Sequence, residues 1–474
     1  MNDAHSIDPR TLDILVADPG ARLHFTGVGG SGMSALAQYR IQGGGRASGS
    51  DRSFDRGEAA EARAYAERLG ISIFPQDGSG VDGAALVVAS TAVESTIADV
   101  VRAREAGVPV ILRAELLASH VRTRPTIAVA GTSGKSTVTA MLFEALTAIG
   151  ANPGVIGGGD LLALKSDSDR GNARFGGGPL VVEADESDKS LVRYRPHVGV
   201  LLNLQKDHDL PEAFIPVFDR YRQATTGPFV ASDDENLARW QEGSLLFGFS
   251  PRAAVRAEAV ELLADGSRFR VEDQEITLPI PGRHNVANAL AAIAAVKAWG
   301  GDWQAAARAL GNYRGVARRF QTLGRAGGVE VIDDFAHNPA KIEATMIAAV
   351  RRASRVLAVF SPHGFAPMRL MGDDIVEVFA RTARPTDRVY FPEIFFAGGS
   401  AVRDVSSGDF VEKMRDRGVA AEFVPARRDL VLRLAQTAAA GDLILLMGAR
   451  DPSLPEFAAA VLRALEARFS SSPG

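Results

Sequence analysis

Residues 126–137 read Thr-Ile-Ala-Val-Ala-Gly-Thr-Ser-Gly-Lys-Ser-Thr, and no other stretch restricts the fold as strongly. An apolar run with β-branched Ile127 and Val129 enters a glycine-bracketed turn, Gly131, Thr132, Ser133 and Gly134, followed by Lys135, Ser136 and Thr137. From Val138 to Ile149 the apolar residues take helical spacing. Strand, glycine loop and helix in that order gather backbone N–H groups at a helix N-terminus, where they hold phosphate oxygens. Lys135 would set a positive charge on the β- and γ-phosphates of ATP, with the Ser136 hydroxyl placed for Mg²⁺. The P-loop pattern lacks its first glycine, where Val129 and Ala130 stand. The alternative is an unoccupied strand–helix turn. Lys-Ser after such a loop does little for a turn, so nucleotide binding is the expectation.

At 474 residues the chain exceeds one hydrophobic core, and about two to four domains are expected. Apolar residues make up 46% and charged residues 23%, as in an ordinary globular protein. A formal net charge of −4 gives no reason to expect nucleic-acid or membrane binding. The chain has no cysteine, which excludes disulfides, thiolate metal sites and cysteine nucleophiles. The start has no basic stretch leading into an apolar one, and no window resembles a membrane span. The expectation is a soluble, cytoplasmic protein.

Strand and helix candidates alternate throughout, which predicts an α/β fold of three consecutive domains with mostly parallel sheets. The first, residues 1–122, has strand candidates 22–26, 85–89 and 108–112 and helix candidates 57–69 and 97–105. The second, 123–315, holds the phosphate loop, strand candidates 180–183 and 198–203, and an alanine-rich helix over 285–299. Between them, the Gly/Ser/Asp-rich stretch 166–178 reads as an exposed loop. The third, 316–474, has strand candidates 329–332, 356–360, 388–391 and 443–447, helix candidates 338–352 and 455–468, and a tail expected to be disordered.

A second glycine loop, Gly27-Val28-Gly29-Gly30-Ser31-Gly32, follows the first strand and precedes a helical run, and Asp51 ends the next strand candidate. This is a Rossmann-type dinucleotide pattern. By itself it admits NAD, another nucleotide diphosphate, or an empty turn. The run Glu183-Ala184-Asp185-Glu186-Ser187-Asp188 sets four carboxylates at a strand end. Such a cluster is either a cation site or a solvated acidic turn. His208 follows the strand candidate ending at Asn203, so Ser136, Glu183 and His208 converge on one sheet edge, where they can hold Mg²⁺ against ATP phosphates. Arg318-Arg319-Phe320 and Asp333-Asp334-Phe335-Ala336-His337 read either as surface charge or as contacts to a transferring phosphoryl group and its nucleoside.

Taken in order, these motifs resemble the Mur ligases, ATP-dependent amide-forming enzymes of bacterial cell-wall precursor synthesis, over nearly the whole chain. The resemblance implies a Rossmann-like first domain binding UDP at Gly27, Gly29, Gly30, Ser31, Gly32, Ser50 and Asp51. It implies a central ATPase domain holding ATP through Gly131 to Thr137, His284 and Asn285, and a Rossmann-like last domain contributing Arg319, Asp334 and His337. Lys135, Glu183, His208, Arg319 and His363 would be catalytic, with Ser136, Glu183 and His208 on the metal. The segments His24-Phe25-Thr26 and Ser48-Gly49-Ser50-Asp51 are similar to the branch that joins L-alanine to UDP-N-acetylmuramate through an acyl phosphate. The Asp-Asp-Phe-Ala-His wording is as close to the muropeptide-recycling branch, which attaches a ready-made peptide. One departure concerns the stretch beginning Pro362-His363. Gly364 and Pro367 stand where the alanine branch carries arginines, with Arg369 as a possible substitute. The implied partners are a UDP-linked muramic acid and an amino acid or short peptide, with no nucleic acid and no membrane; the oligomeric state is unread.

Overall fold

The computed structural model describes residues 7–91, 93–166, 168–186, 190–205, 211–396 and 402–470. The chain divides into two compact units. The first comprises Met1–Glu258, Arg270–Ile276 and Ala287–Val316, and the second Ala259–Phe269, Thr277–Val286 and Ala317–Gly474.

The first unit contains two sheets, one wholly and one mostly parallel. The N-terminal sheet runs Ser72–Ile73, Arg46–Ser50, Arg22–Thr26, Leu86–Ala89, Val110–Leu112 in space, with every pairing parallel. Its first strand in sequence lies in the middle, so the chain leaves the sheet in opposite directions from that point. Open α/β sheets bind ligands at such a switch, outside the strands' C-terminal ends, and the first glycine loop sits there. The helix that follows, Ser31–Gln42, is buried from Met33 to Arg40.

The central sheet runs Val255–Arg256, Leu245–Gly248, Phe229–Ser232, Val198–Leu201, Thr126–Ala130, Leu180–Glu183, Gly154–Ile156, Ala173–Arg174. Strand Thr126–Ala130 is buried along its whole length between its two neighbours, as its continuous apolar run requires. The last strand is antiparallel. It lies inside 166–178, so that stretch is not simply the exposed loop expected from its composition. Asn172 and Ala173 are buried, and Gln38 on the N-terminal helix donates to Asp169 at 3.2 Å and to the Ala173 carbonyl at 3.0 Å. Tyr65 donates to Gln38 at 2.8 Å and accepts from Arg170 N–H at 3.1 Å. These polar residues join two sheets, a role that composition alone does not reveal.

A small three-stranded sheet, Glu258–Leu262, Ser267–Val271 and Gln274–Leu278, was absent from the sequence reading. Its signal is the strict alternation over 267–271, buried at Ser267, Phe269 and Val271 and exposed at Arg268 and Arg270. The second unit carries a sheet ordered Gln321–Ala326, Val329–Asp334, Asp442–Gly448, Arg355–Ser361, Arg388–Phe391, Ala421–Phe423, antiparallel only at its first pair. Its helices pack both faces over apolar cores centred on Phe360, Phe379 and Phe391 on one side and Leu430, Leu434 and Val461 on the other.

Candidate active site

The phosphate loop leaves strand Thr126–Ala130 and enters helix Lys135–Ala148 through two glycines at positive φ, Gly131 at +135° and Gly134 at +87°. A Cβ on Gly134 would lie 2.5 Å from Asn288 Oδ1, so a side chain there would displace that amide as well as strain the backbone at positive φ. Asn203, from the neighbouring strand's exit, braces the loop. Its Oδ1 accepts from Thr132 Oγ1 and Ser133 N–H, both at 2.9 Å, and its Nδ2 donates to the Ser133 carbonyl at 3.0 Å. Gln205 N–H adds a bond to Thr132 Oγ1 at 2.9 Å.

Lys135 Nζ lies 2.7 Å from Glu186 Oε2, 2.8 Å from the Gly131 carbonyl and 3.9 Å from Asp185. Burial works to lower the lysine's pKa, but the Glu186 and Asp185 carboxylates outweigh it and hold the ammonium above its ordinary value. On the next residue, Ser136 Oγ donates to Glu183 Oε2 at 3.0 Å, and Glu183 Oε1 accepts from Gly158 N–H at 2.7 Å. A side chain at 158 would put its Cβ 3.0 Å from Glu183 Oε2, so glycine keeps the carboxylate's approach open. A serine hydroxyl and a carboxylate side by side are hard oxygen donors suited to Mg²⁺ together with phosphate oxygens. His208, expected as the third ligand, lies outside the described residues, as do Ser187 and Asp188. Among the described residues no group of three His, Cys, Asp or Glu gathers for a metal.

The N-terminal loop is built without a lysine. Gly27 and Val28 N–H donate to the Ser50 carbonyl at 2.8 and 3.1 Å, and Gly29 N–H donates to Asp51 Oδ2 at 2.9 Å. Asp51 Oδ1 accepts from Ser53 N–H at 2.9 Å and Ser53 Oγ at 2.6 Å. Both oxygens of the residue expected on a ribose therefore hold the loop and the next helix start. Ser50 is fully buried and its hydroxyl turns inward to Asp99, so its side chain does not face a ligand as expected. Helix Ser31–Gln42 starts after Gly30, and Gly32 stands beside the Arg113 guanidinium, whose Nη1 would be 3.1 Å from a Cβ there.

In the second unit the two motifs of the sequence become one structure. Phe335 N–H donates to the Arg318 carbonyl at 2.7 Å, and Phe320 N–H to Asp334 Oδ2 at 2.6 Å. Arg318 pairs with Asp333 at 3.1 Å, and burial pushes that carboxyl up to about 6 despite the guanidinium. Arg319 lies 4.8 Å over the Phe335 ring. Asp334 Oδ1 also takes Ala336 N–H at 2.7 Å and Thr345 Oγ1 at 3.2 Å, so this carboxylate shapes the loop. His284, also in this unit, is pushed down by burial, against the pull of Asp334. The His337 and His363 rings meet edge to face at 5.5 Å, both 8% exposed. Close by in the fold, Asn338 Nδ2 and Ser361 Oγ are buried with no hydrogen-bond partner among the described residues. Gly364 begins helix Phe365–Thr382 at φ +75°, and Arg369 Nη1 is held by Asp404 at 2.5 Å.

Three family models match in register along the chain: "Mur ligase family, catalytic domain" over 22–124, "Mur ligase middle domain" over 129–296, and "Mur ligase, glutamate ligase domain" over 318–450. The UDP-N-acetylmuramate–L-alanine ligase of Pelotomaculum thermopropionicum is 34% identical over 92% of this chain and 96% of its own length. That of Burkholderia cenocepacia is 36% identical over 90% and 95%.

The chain belongs to the Mur ligase family.

It is an ATP-dependent, ADP-forming ligase of that family, with its three-domain α/β fold, and the family's work lies in peptidoglycan precursor synthesis. The crystal structure of the UDP-N-acetylmuramate–alanine ligase from Thermotoga maritima matches with a TM-score of 0.77 at 27% identity, covering 95% of this chain and 100% of that one. A murein peptide ligase from Psychrobacter arcticus, 24% identical with a TM-score of 0.63, shares the fold. No helix among the described residues of the ligase is long and apolar enough to cross a membrane.

Several residues at these sites escaped the sequence reading. Glu186 was seen only as one of an acidic run; its pairing with Lys135 depends on the strand-to-strand arrangement. Asn203 marked only a strand end, Arg113 carried no motif, and Asp99 reads as one more helix-surface acid. Of these only Asn203 left a usable signal: a polar residue ending an apolar strand next to the phosphate loop.

Proposed function

We propose that the ligase joins the carboxylate of UDP-N-acetylmuramate to an amino acid, L-alanine being the first candidate, through an acyl phosphate made from ATP. The observation that carries this is the meeting of Lys135, Ser136 and Glu183 at one strand edge, in a chain about a third identical to L-alanine-adding relatives. Lys135 leaves Glu186 for the β- and γ-phosphates. The substrate carboxylate attacks the γ-phosphorus, ADP departs, the amine attacks the acyl carbon, and phosphate leaves. Bound Mg²⁺ at Ser136 and Glu183, with His208 as a further candidate, would neutralise charge on the phosphates. Arg319 is the second unit's candidate for the transferring phosphoryl group. Gly131 to Thr137 cradle the phosphates, and His284, Asn285, Asp334 and His337 are candidates for the nucleoside side. The first glycine loop takes the uridine diphosphate at the N-terminus of Ser31–Gln42, with Arg113 added as a cation.

A second reading has a specific basis. Gly364 and Pro367 offer no guanidinium, and Arg369 is engaged by Asp404, so an amino-acid carboxylate lacks the expected clamp. His363, His337, Ser361 and Asn338 remain as a small polar group for the incoming amine. The missing clamp is what favours this reading, a peptide donor or an acceptor outside peptidoglycan. Phosphate release from ATP and Mg²⁺ across amino acids and short peptides, each with UDP-N-acetylmuramate, tests both. Turnover with L-alanine alone supports the first reading, and turnover only with peptides supports the second. No turnover with any muramyl acceptor would overturn the muramate assignment. A cytoplasmic location follows from the same reading, since its nucleotide substrates are cytoplasmic metabolites.

A further inference from the structure

Beneath the N-terminal glycine loop lies a polar cluster that no step of the ligation uses. His24 and Asp99 are both 0% exposed. Asp99, on helix Ala98–Glu105, accepts at Oδ2 from His24 Nε2 at 3.2 Å, from Thr26 Oγ1 at 3.1 Å and from the Ser50 hydroxyl. Its Oδ1 accepts from Gly78 N–H at 3.1 Å. Behind it, His24 Nδ1 meets Ser48 Oγ at 3.0 Å, and Ser48 Oγ accepts from Arg22 Nη1 at 2.6 Å. An ionised carboxylate can only accept, so His24 carries a proton on Nε2, and Ser48 Oγ bonds Nδ1 while taking the arginine's N–H. The space for the imidazole comes from Gly80, where a Cβ would fall 2.4 Å from His24 Cε1.

Such an arrangement is a costly route to stability alone. Taking a carboxylate out of water costs several kcal/mol, about what its donors return, and an apolar group of the same shape would hold the core as well. What hydrogen bonds add is direction. The two residues that Asp99 holds, Thr26 and Ser50, are register partners at the ends of adjacent strands. The glycine loop departs after Thr26, and the Ser50 carbonyl takes its first two N–H groups.

We propose that Asp99, oriented by His24, is a positioning residue for the diphosphate of the uridine-nucleotide substrate, fixing through Thr26 and Ser50 the two strand ends from which the glycine loop is suspended. This rests on the loop being the uridine-diphosphate site, and it assigns a purpose to the His24-Phe25-Thr26 and Ser48-Gly49-Ser50 segments. Phosphate transfer from ATP, in the central domain, is independent of it.

The test is steady-state kinetics on full-length variants, with calorimetric titration of UDP and of ADP. Thr26→Val keeps the side chain's shape and removes one donor to Asp99, while Thr26→Ser keeps the hydroxyl. Asp99→Asn turns an acceptor into a donor facing other donors. Asp99→Asn is expected to raise KM for the uridine nucleotide about tenfold, and Thr26→Val about threefold, with kcat and the ATP KM within about twofold of wild type. Thr26→Ser should restore the wild-type KM. If Asp99→Asn fails to fold, the Thr26 pair decides. Wild type that binds UDP, with folded Thr26→Val binding it equally tightly, overturns the proposal alone. So does a loss of kcat and ADP binding in step with UDP binding. Wild type that binds ADP but not UDP overturns the reading of the loop together with the proposal.

Discussion

The first unit holds two glycine loops in the same strand–loop–helix order, and they are supported in different ways. The phosphate loop is braced from its flank by Asn203 and presents charge at its mouth, with Lys135 on Glu186 and Ser136 on Glu183. Among the described residues the N-terminal loop presents no lysine or carboxylate pair at its mouth, and its order comes from Asp51 directly and, through Thr26 and Ser50, from the buried Asp99. A loop that takes part in phosphoryl transfer needs groups that can change partners when the nucleotide arrives. A loop that only grips a diphosphate needs N–H groups that stay still. Two acids of the first unit differ likewise. Asp99 has donors on both oxygens. Glu144, half-buried on the phosphate-loop helix, receives Arg314 N–H at 3.0 Å on one oxygen, and its other oxygen is buried with no partner among the described residues.

The largest effect expected of this contrast is at Lys135. Lys135→Ala should lower kcat by about a thousandfold or more while UDP binding stays near wild type, because the proposed role of that charge is on the triphosphate and not on the uridine nucleotide. Comparable loss of UDP binding would mean the two loops are not separate devices. Next comes Gly29→Ala, whose Cβ would sit 2.8 Å from Asp51 Oδ2 and 3.1 Å from Phe54. It should raise KM for the uridine nucleotide by about tenfold and leave the ATP KM alone, since the clash is confined to the N-terminal loop. Equal movement of both KM values would contradict that.

Asn203→Ala removes the brace of the phosphate loop and should raise the ATP KM by roughly threefold, with a stability loss of about 1–2 kcal/mol by urea titration. An unchanged ATP KM would show that the loop keeps its shape without the amide. The smallest effect separates the two acids by sign. Burial pushes Glu144 up to about 7 from 4.5, so the folded state holds a proton that the unfolded chain releases, and stability falls as pH rises between those values. Glu144→Gln should therefore melt a few degrees higher than wild type at about pH 8, with the gap closing toward about pH 5. At Asp99 burial works to raise the pKa, but the bonds from His24, Ser50 and Thr26 outweigh it and the carboxyl is held below its ordinary value. Its stabilisation is present above the unfolded carboxylate range and is lost as pH falls through the folded value. Calorimetric melts of Glu144→Gln that parallel wild type at every pH would remove the distinction.

Much of the fold was legible because it is written in local runs. Strand Arg22–Thr26 and strand Leu180–Glu183 coincide with the apolar stretches that announced them. The small central sheet was missed because a helix-and-parallel-strand expectation passed over a period-two pattern only five residues long at 267–271. The stretch 166–178 was misjudged because Gly, Ser and Asp mark exposure only when nothing accepts their hydrogen bonds. Here Tyr65 accepts from Arg170 N–H and the Ser31 carbonyl from Asn172, while Gln38 donates to Asp169. The phosphate loop was legible for the same reason as the strands: its residues are contiguous. Glu186, Arg113 and Asp99 were not, since each acts on a residue dozens of positions away.

By itself the sequence determined the α/β order, the two glycine loops, the lysine and serine of the candidate nucleotide site and the family they resemble, because backbone conformation and phosphate recognition depend on neighbours in the chain. Only the tertiary structure decided that Lys135 rests on Glu186, that Ser50 faces the core and that Asp99 lies under the N-terminal loop. Those choices follow from strand order and burial: a charge removed from water must find its partners among whatever the folded sheet brings within about 3 Å.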